Sequence, residues 1–434
     1  MSTLTTIHVR VLLLLAFAIL LLAAGCVRNT EDKRRNKETP AVILNPQSPV
    51  HDPYLQNAQS AVNAPLTFIG DAACAKCHDA EFKAHEVTYH ASTMHLADHM
   101  SLGRLAPTTG TLPGSKARVE RNGDGYQVMM PTGASGPLQY AMGSGKSAIT
   151  FVSLMGSHTF EMRASYFPHQ GKWKVTPGQK RTLSTALGVD HEDDEARRCI
   201  ACHTTTLPID SNIPEKRFLG VGCEACHGAG SAHVMAMQAG NSADIAMERM
   251  GRWGARRLSE LCGKCHRTAA AAGILPGDAP HLDVTSRFQP YALMLSRCFK
   301  ASGDSLSCIT CHSPHQNTSH DQRAYETVCL TCHGQKTDEK MRKQGGRGEG
   351  EKDSHTASAS VFHLPSSSSS GKRCPVNQRT GCLECHMANK PMLPGELITV
   401  SARDHFIRVR RPKQEAKWAR AIKKAEEMTL QHSE

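Results

Sequence analysis

A Cys-x-x-Cys-His pattern occurs seven times and constrains this 434-residue chain more than any other feature. At this composition chance would supply well under one copy, so the repetition indicates a chemical requirement. The intervals between copies are irregular, which excludes an array of repeats with a fixed period. The seven copies are Cys74/Cys77/His78, Cys199/Cys202/His203, Cys223/Cys226/His227, Cys262/Cys265/His266, Cys308/Cys311/His312, Cys329/Cys332/His333 and Cys382/Cys385/His386.

The spacing within the pattern fits covalent attachment of haem. Cysteines at positions i and i+3 project from the same side of one helical turn, where their sulfurs can add to the two vinyl groups on one edge of a porphyrin. The histidine that follows then supplies the proximal nitrogen to the iron. The sequence therefore predicts seven covalently bound copies of haem c, with the fourteen motif cysteines as thioether ligands and the seven motif histidines as proximal ligands.

Zinc sites, disulfides and thioredoxin-like redox motifs also use Cys-x-x-Cys pairs. Zinc sites do not need a histidine directly after every second cysteine, and they favour the reducing cytosol. A thioredoxin-like motif would need one pair in a β-α-β context. Seven copies that all keep the histidine favour haem over these alternatives.

The first 66 residues predict export and a membrane tether. Arg10 precedes an apolar run over residues 11–24, which is shorter than the roughly 20 residues that a membrane-spanning helix needs. Residues 22–26 resemble a bacterial lipobox, so we predict a lipoprotein-type signal peptide over 1–25 and lipidation of Cys26. An ordinary signal peptide and an uncleaved anchor are the alternatives. Residues 26–66 are polar and proline-punctuated, as is typical of a flexible tether.

The net charge of +11 would ordinarily suggest nucleic acid as a partner. Each haem carries two propionates, so seven haems would add about 14 negative charges and cancel this excess. We therefore expect no nucleic-acid partner. The expected partners are redox proteins, either other cytochromes or a quinol-linked complex, on the periplasmic side of the cell envelope, with the membrane contacted through the lipid anchor.

Residues 67–410 predict one seven-haem cytochrome c domain, mainly α with extensive loops and organised around stacked covalent haems. The apolar, glycine-interrupted stretch 139–176 predicts a small antiparallel β-sheet inserted in this domain. Residues 334–372 are low in complexity and predict an exposed loop. Residues 411–434 have apolar positions at helical spacing and predict a C-terminal helix.

Three residues inside the predicted β insertion, Gly145, Lys146 and Ser147, resemble the end of a phosphate-binding loop. The Walker pattern requires a glycine where this chain has Tyr140. We therefore predict a turn between two strands here.

Two cysteines, Cys298 and Cys374, belong neither to a motif nor to the signal region. In an oxidising compartment their simplest fate is a disulfide, which would close a long loop and contribute on the order of 4 kcal/mol. Two buried thiols are the alternative.

The chain resembles bacterial multihaem cytochromes c related to the cytochrome c-554 family, whose members relay electrons in nitrogen metabolism. The resemblance covers most of residues 69–409, and its most specific stretch is the glycine-rich segment 220–233. Within that segment the family usually has proline where this chain has Ala229. The other matching stretches are 74–91, 140–145, 308–315 and 404–408.

In such proteins the second, distal ligand of each iron is normally another histidine. By position, the resemblance implies His90, His233, His315 and His405 as distal ligands. Ligation of each iron by two histidines would lower the reduction potential relative to Met/His ligation and would close both faces of the iron. The candidates for the remaining places are His95, His169, His191, His281, His320, His355 and His363.

Closed iron sites favour an electron carrier that passes electrons between redox partners. The alternative is a multihaem oxidoreductase with one open haem that acts on a small nitrogen or sulfur compound. Related nitrite and tetrathionate reductases often replace the proximal histidine of the catalytic haem by lysine, and all seven motifs here keep histidine. Hydroxylamine-oxidising relatives keep it as well, so the enzyme alternative stays open, as does a subunit that contributes haems to a larger complex.

Overall fold

The computed structural model describes residues 66–113, 115–155, 158–176, 179, 187–270, 288–333, 374–377, 380–391 and 401–409. The predicted signal peptide, Cys26, the tether up to residue 65, the loop over 334–372 and the C-terminal helix lie outside these residues. In the part of the chain that the structure describes, no helix is long and apolar enough to cross a membrane.

The described residues contain short helices, and every motif begins on one of them. Six motifs begin in α-helices and one begins in a 3-10 turn at Cys308–Thr310, as the i, i+3 spacing of the cysteines predicts. The helices are α1 (Asp71–Ala75), α2 (Asp79–Glu86), α3 (His99–Leu102), α4 (Asp193–Ala201), α5 (Cys223–His227), α6 (Ser231–Gln238), α7 (Ala255–His266), α8 (Gln289–Leu295), α9 (Arg297–Ala301), α10 (Gln322–His333) and α11 (Cys382–His386). Further 3-10 turns are Gly103–Leu105, Pro168–Gln170, Lys216–Phe218 and Met250–Arg252.

In the described part of the chain, all pairs of strands are antiparallel and form three sheets. A six-stranded sheet has the order β1-β6-β7-β8-β10, with β9 also paired to β8, and a four-stranded sheet has the order β2-β3-β4-β5. A third sheet pairs β11 with β12. The strands are β1 (Met94–Leu96), β2 (Gly110–Thr111), β3 (Arg118–Asn122), β4 (Gly125–Met129), β5 (Ser135–Leu138), β6 (Tyr140–Met142), β7 (Ile149–Met155), β8 (His158–Phe167), β9 (Lys172–Val175), β10 (Gly188–His191), β11 (Asn389–Pro391) and β12 (Ser401–Arg403).

The β structure is more extensive than the small sheet predicted over 139–176. That stretch forms the centre of the six-stranded sheet, but the sheet begins at Met94 and ends at His191. The four-stranded sheet before it was not predicted. Its strands are short, so the alternation of inward-pointing positions such as Tyr126 and Val128 extends over few residues. The period-2 signal in the sequence is therefore weak. The description "mainly α" is therefore too simple for the described chain.

The two larger sheets share one apolar core. Val119 and Tyr126 from the four-stranded sheet belong to the same buried cluster as Ile149, Phe151 and Met162 from the six-stranded sheet. The cluster in the helical part is much smaller, with Ala255, Leu293 and Phe299 as its buried members. The apolar core thus lies mainly between the sheets, while the motif helices surround a cavity.

The six-stranded sheet also positions the segment that carries His90. Strand β1 pairs with β6, with Met94 opposite Met142, and the backbone N–H of Gly143 donates to the carbonyl of Thr93 at 2.7 Å. Gly143 has φ +117, and a side chain there would press on the carbonyl of Ala148. Glycine is therefore needed where the chain leaves β6.

Candidate haem-binding site

A continuous cavity of about 3710 Å³ runs through the helical part of the protein. Pockets for a single small ligand measure roughly 300–1,000 Å³, so this cavity has room for several large groups. Residues from all seven motifs line it, including every motif histidine and every motif cysteine except Cys199. The four predicted distal histidines, His90, His233, His315 and His405, line it too.

Each predicted distal histidine faces a motif histidine across this cavity. Metal–imidazole nitrogen bonds are about 2.0–2.1 Å long, so two imidazoles on opposite sides of one metal ion have ring centroids roughly 6.3 Å apart. At four places in the cavity, two facing histidines are therefore separated by a distance that fits one iron between them. The centroid separations are 6.3 Å for His78 and His233, 6.0 Å for His90 and His266, 6.2 Å for His227 and His315, and 6.1 Å for His312 and His405.

Four histidine rings that line the cavity are fixed by a hydrogen bond from Nδ1 to a backbone carbonyl. Because a carbonyl oxygen can only accept, Nδ1 carries the proton and Nε2 keeps its lone pair. Metal-binding histidines are commonly oriented in this way. The bonds are His203 to Thr93 at 2.9 Å, His233 to Ile245 at 2.7 Å, His386 to Arg408 at 3.0 Å and His405 to Arg403 at 3.0 Å.

Burial keeps two of the facing histidines, His90 and His312, neutral. It is the main cause that lowers the pKa of His90 to about 4, followed by the neighbouring His266 and His85. Burial and the neighbouring His405 and His266 likewise lower the pKa of His312 to about 4. A histidine must be neutral to bind a metal, so these rings are in the binding form at neutral pH.

A buried carboxylate positions the turn that leads into the helix of His233. Glu224 lies inside the third motif and is only 2% exposed. Its carboxylate accepts hydrogen bonds from the backbone N–H groups of Ile69 at 3.0 Å, Gly70 at 2.8 Å and Gly230 at 2.7 Å. Glu224 thereby joins the entry to the first motif to the turn before α6, the helix that contains His233.

The first and third motifs are also joined directly. The carboxylate of Asp71 accepts from the backbone N–H of Cys223 at 2.9 Å, and the neighbouring thiol of Cys223 lowers the pKa of the Cys74 thiol. These contacts hold α1 beside α5. They explain why His78 of the first motif meets a histidine that follows the third.

The segment around His90 is held against the third motif as well. The backbone N–H of Val221 donates to the carbonyl of His90 at 2.9 Å. Gly220 has φ +82, and a Cβ there would overlap the carbonyl oxygen of Ala91. This close approach requires glycine, which accounts for one glycine of the segment 220–233.

Motifs that are distant in the sequence are neighbours in space. Besides the pair Cys74 and Cys223, the neighbouring thiol of Cys265 lowers the pKa of Cys202, and the neighbouring thiol of Cys262 lowers the pKa of Cys308. The second motif thus lies beside the fourth, and the fourth beside the fifth. The haem-attachment positions therefore form a connected group.

Two motif histidines lack an opposing ring within the described ranges. His203 and His386 make the backbone hydrogen bonds given above, but no histidine ring of the described chain pairs with either. Among the other distal candidates, His320 lines the cavity and His169 lies in the 3-10 turn Pro168–Gln170. His281, His355 and His363 lie outside the described residues.

The structure places two further distal candidates where they are poor ligands. His191 lies between Glu161 at 3.3 Å and Glu195 at 3.2 Å. These carboxylates, Glu161 first, raise the pKa of His191 to about 9, so the ring is cationic at neutral pH. The Nε2 atom of His95 donates to the carbonyl of Ser92 at 2.9 Å, and His95 is not among the residues that line the cavity.

Sequence reasoning missed one cavity histidine, His85. It is 8% exposed, it lines the cavity, and burial lowers its pKa. It follows His78 by two helical turns, a spacing that brings residues to one face of a helix. This spacing in the sequence was the signal that could have identified His85.

The two cysteines that lie outside the motifs in the described part of the chain, Cys298 and Cys374, are free. The predicted disulfide between them stays a prediction. Among the described residues, no group of three or more His, Cys, Asp or Glu side chains is arranged to hold a metal ion directly.

Comparison with known proteins points to c-type cytochromes. Residues 161–228, which include the second and third motifs, match the family model "Cytochrome c554 and c-prime". No curated protein matches the chain.

Two solved structures of multihaem cytochromes are similar to the chain. The undecahaem cytochrome from the S-layer of Carboxydothermus ferrireducens is 18% identical, with a TM-score of 0.36, over 62% of this chain and 43% of that one. This chain thus spans less than half of that cytochrome. The Outer Cell Wall Cytochrome OcwA is 18% identical, with a TM-score of 0.41, over 80% of both chains.

Proposed function

We propose that this protein is an exported heptahaem cytochrome c that carries electrons between redox partners. Bound haem c supplies reversible one-electron chemistry at its iron. The cysteines of the seven motifs would hold the porphyrins through thioether bonds, and the motif histidines would bind the irons from one side. The family match over residues 161–228 supports cytochrome c chemistry.

The observation that carries the proposal is the set of four facing histidine pairs, with ring centroids 6.0 to 6.3 Å apart. In each pair a motif histidine would bind one side of the iron and His90, His233, His315 or His405 the other. An iron with histidine on both sides has no position left for a substrate. Four iron sites closed in this way support a role in electron transfer rather than in catalysis.

The proposed location rests on the N-terminal sequence, and the proposed partners rest on that location. The predicted signal peptide and lipidated Cys26 would place the folded body outside the cytoplasm, tethered to a membrane. Redox partners at that surface, other cytochromes or a quinol-linked complex, would then exchange electrons with it.

A second function, oxidoreduction of a small nitrogen or sulfur compound, is favoured by one observation. His203 and His386 lack an opposing histidine ring within the described ranges. If either iron also lacks a ligand from elsewhere in the chain, it could bind a substrate.

The test is to produce the full chain in a host that attaches haem c and to measure its mass and redox behaviour. We expect seven haems, which dithionite reduces and an oxidised small c-type cytochrome reoxidises. The variant C74A/C77A should lose one haem, whereas the matched control C298A/C374A should keep all seven. Fewer than seven haems in the unchanged protein, or no electron exchange with the acceptor, would contradict the proposal.

A further inference from the structure

The histidine of the fifth motif, His312, differs from other motif histidines in its hydrogen bonding. In the part of the chain that the structure describes, its Nδ1 atom is buried and has no hydrogen-bond partner. The Nδ1 atoms of His203 and His386, in contrast, donate to the carbonyls of Thr93 at 2.9 Å and Arg408 at 3.0 Å. A buried polar atom without a partner is uncommon, and a redox role is one of its known explanations.

The buried Nδ1 atom identifies the nitrogen of His312 that would bind iron. The rings of His312 and His405 have centroids 6.1 Å apart, the separation that fits one iron, and both residues line the cavity. Since Nδ1 is buried, Nε2 is the nitrogen of His312 left to bind the iron. The neutral ring then carries its proton on Nδ1. The N–H group of His312 is therefore a donor that meets no acceptor among the described residues.

The side chain of Tyr325 packs against the His312 ring. The two ring centroids lie 5.5 Å apart with an angle of 57° between the planes, within the range of roughly 4.5–7 Å for aromatic rings in contact. The hydroxyl of Tyr325 donates to the carbonyl of Ser319 at 3.3 Å. The tyrosine ring is thus held by helix α10 at one end and by Ser319 at the other, and it covers His312 with apolar carbon.

The missing hydrogen bond has a consequence for an iron bound to His312. A hydrogen bond donated from Nδ1 makes an iron-bound imidazole a more basic ligand. A more basic ligand stabilises oxidised iron more than reduced iron, so such a hydrogen bond lowers the reduction potential. His405, on the other side of the same iron, donates to the carbonyl of Arg403 at 3.0 Å. His312 makes no such bond in the described chain, which favours the reduced form of the haem that it would bind.

We propose that Tyr325 raises the reduction potential of the haem held by Cys308, Cys311 and His312, because its ring keeps Nδ1 of His312 covered and without an acceptor. Tyr325 is a positioning residue, since it acts on the iron through His312. The proposal rests on the proposed function, because it requires haem at the fifth motif.

The size of the effect follows from partners of the same kind. Loss of an outer-shell hydrogen bond changes metal binding by roughly 10- to 100-fold. An acceptor at Nδ1 of His312 should therefore shift the reduction equilibrium of the fifth haem at least about tenfold toward the oxidised form. For one electron, a tenfold shift corresponds to about 59 mV.

The experiment is a potentiometric titration of the haem-loaded full chain, in a background that identifies the fifth haem. Ligation by methionine and histidine gives a higher potential than ligation by two histidines. In H405M, the haem of the fifth motif should therefore move to higher potential. The component that differs between H405M and the unchanged protein is then the fifth haem.

Four variants are compared in this background. Y325A removes the ring and lets water reach Nδ1 of His312, and Y325Q puts an amide oxygen near it. Both should lower the potential of the fifth haem at least about tenfold in the reduction equilibrium. Y325F keeps the ring and removes only the hydroxyl bond to Ser319, so it should cause no shift. Y89A is the matched control, because Tyr89 also lines the cavity but its ring contacts Lys146.

Electron paramagnetic resonance of the same samples separates tuning from a purely structural role. If Tyr325 acts through the hydrogen bonding of His312, the fifth haem stays low-spin in Y325A and Y325Q while its potential falls. A new high-spin signal in these variants would show that Tyr325 holds His312 in place, and it would overturn the proposal.

The titration has further decisive outcomes. A downward shift of the fifth haem in H405M/Y325A and H405M/Y325Q, absent in H405M/Y325F and H405M/Y89A, supports the role of Tyr325. An unchanged potential in the first two variants would overturn it, as would an equal shift in H405M/Y325F. If mass spectrometry finds no haem on Cys308 and Cys311, or if H405M moves no component, the proposed ligation fails and the role of Tyr325 fails with it.

Discussion

Replacement of Glu224 by glutamine tests whether one buried carboxylate organises two of the haem-binding motifs. The Glu224 side chain accepts from three backbone N–H groups, those of Ile69, Gly70 and Gly230. Glutamine retains a single acceptor oxygen and places an NH₂ group where the second oxygen stood. At least one backbone N–H then faces another donor in the interior.

The magnitude follows from these contacts. A hydrogen bond to a charged group contributes about 1.5–3 kcal/mol, and a buried donor left unsatisfied costs about 1–3 kcal/mol. With one or two of the three bonds lost, E224Q should lower the free energy of unfolding by about 2–4 kcal/mol. Because Glu224 also fixes the turn before α6, the variant should loosen His233 from the iron that His78 and His233 would hold in the proposed site.

The assay is guanidinium unfolding of the haem-loaded protein followed by far-ultraviolet circular dichroism, together with electron paramagnetic resonance of the native state. We expect a lower denaturation midpoint and a new high-spin signal from one haem. E120Q, which changes a half-buried carboxylate on β3 that contacts Arg118 at 3.7 Å, should alter neither. An E224Q protein as stable as the unchanged one, with all haem signals preserved, would refute the positioning role of Glu224.

Two further predictions concern Gly220 and His191. In G220A the new Cβ overlaps the carbonyl of Ala91, and residue 220 has a φ of +82. We therefore expect the free energy of unfolding to fall by at least about 1–3 kcal/mol. We also expect an altered electron paramagnetic resonance signal from the haem that His90 would bind. Glu161 raises the pKa of His191 to about 9, so the charged ring stabilises the folded state. This stabilisation is complete below the unfolded-state pKa of about 6.5 and is lost as pH rises through 9. The denaturation midpoint should therefore fall between pH 7 and 10, and H191Q should show a smaller fall.

Each of these predictions has a result that would contradict it. A G220A protein with unchanged stability and unchanged haem signals would show that the close approach to Ala91 is not required. The same fall in midpoint with pH in H191Q and in the unchanged protein would show that the ion pair with Glu161 does not contribute. H158Q is the matched control for H191Q, since Nδ1 of His158 lies 3.2 Å from a carboxylate oxygen of Asp190 at the surface.

The sequence predicted the local features of the site well, because their causes are local. The cysteine spacing requires one helical turn, and each motif begins on one. The turn at Gly145 follows from glycine between two apolar runs, and the structure confirms it. The apolar residues of 139–176 form the centre of a sheet, as predicted.

Features that depend on distant contacts were less predictable. Residues 110–138 alternate weakly and were not recognised as a sheet, whose stability comes from packing Val119 and Tyr126 on the neighbouring sheet. The opposition of His78 and His233 depends on Glu224 and Asp71, which join segments far apart in the sequence. Spacing alone carries no signal for such a pairing, and the four distal candidates came from a family resemblance.

Electron paramagnetic resonance on the oxidised, haem-loaded protein, with the haem number determined on the same sample, tests the central claim most directly. The proposal of a carrier with histidine on both sides of its irons predicts seven haems that are all low-spin and do not respond to nitrite or hydroxylamine. A high-spin signal that shifts when either compound is added would contradict it and would favour an open, catalytic iron.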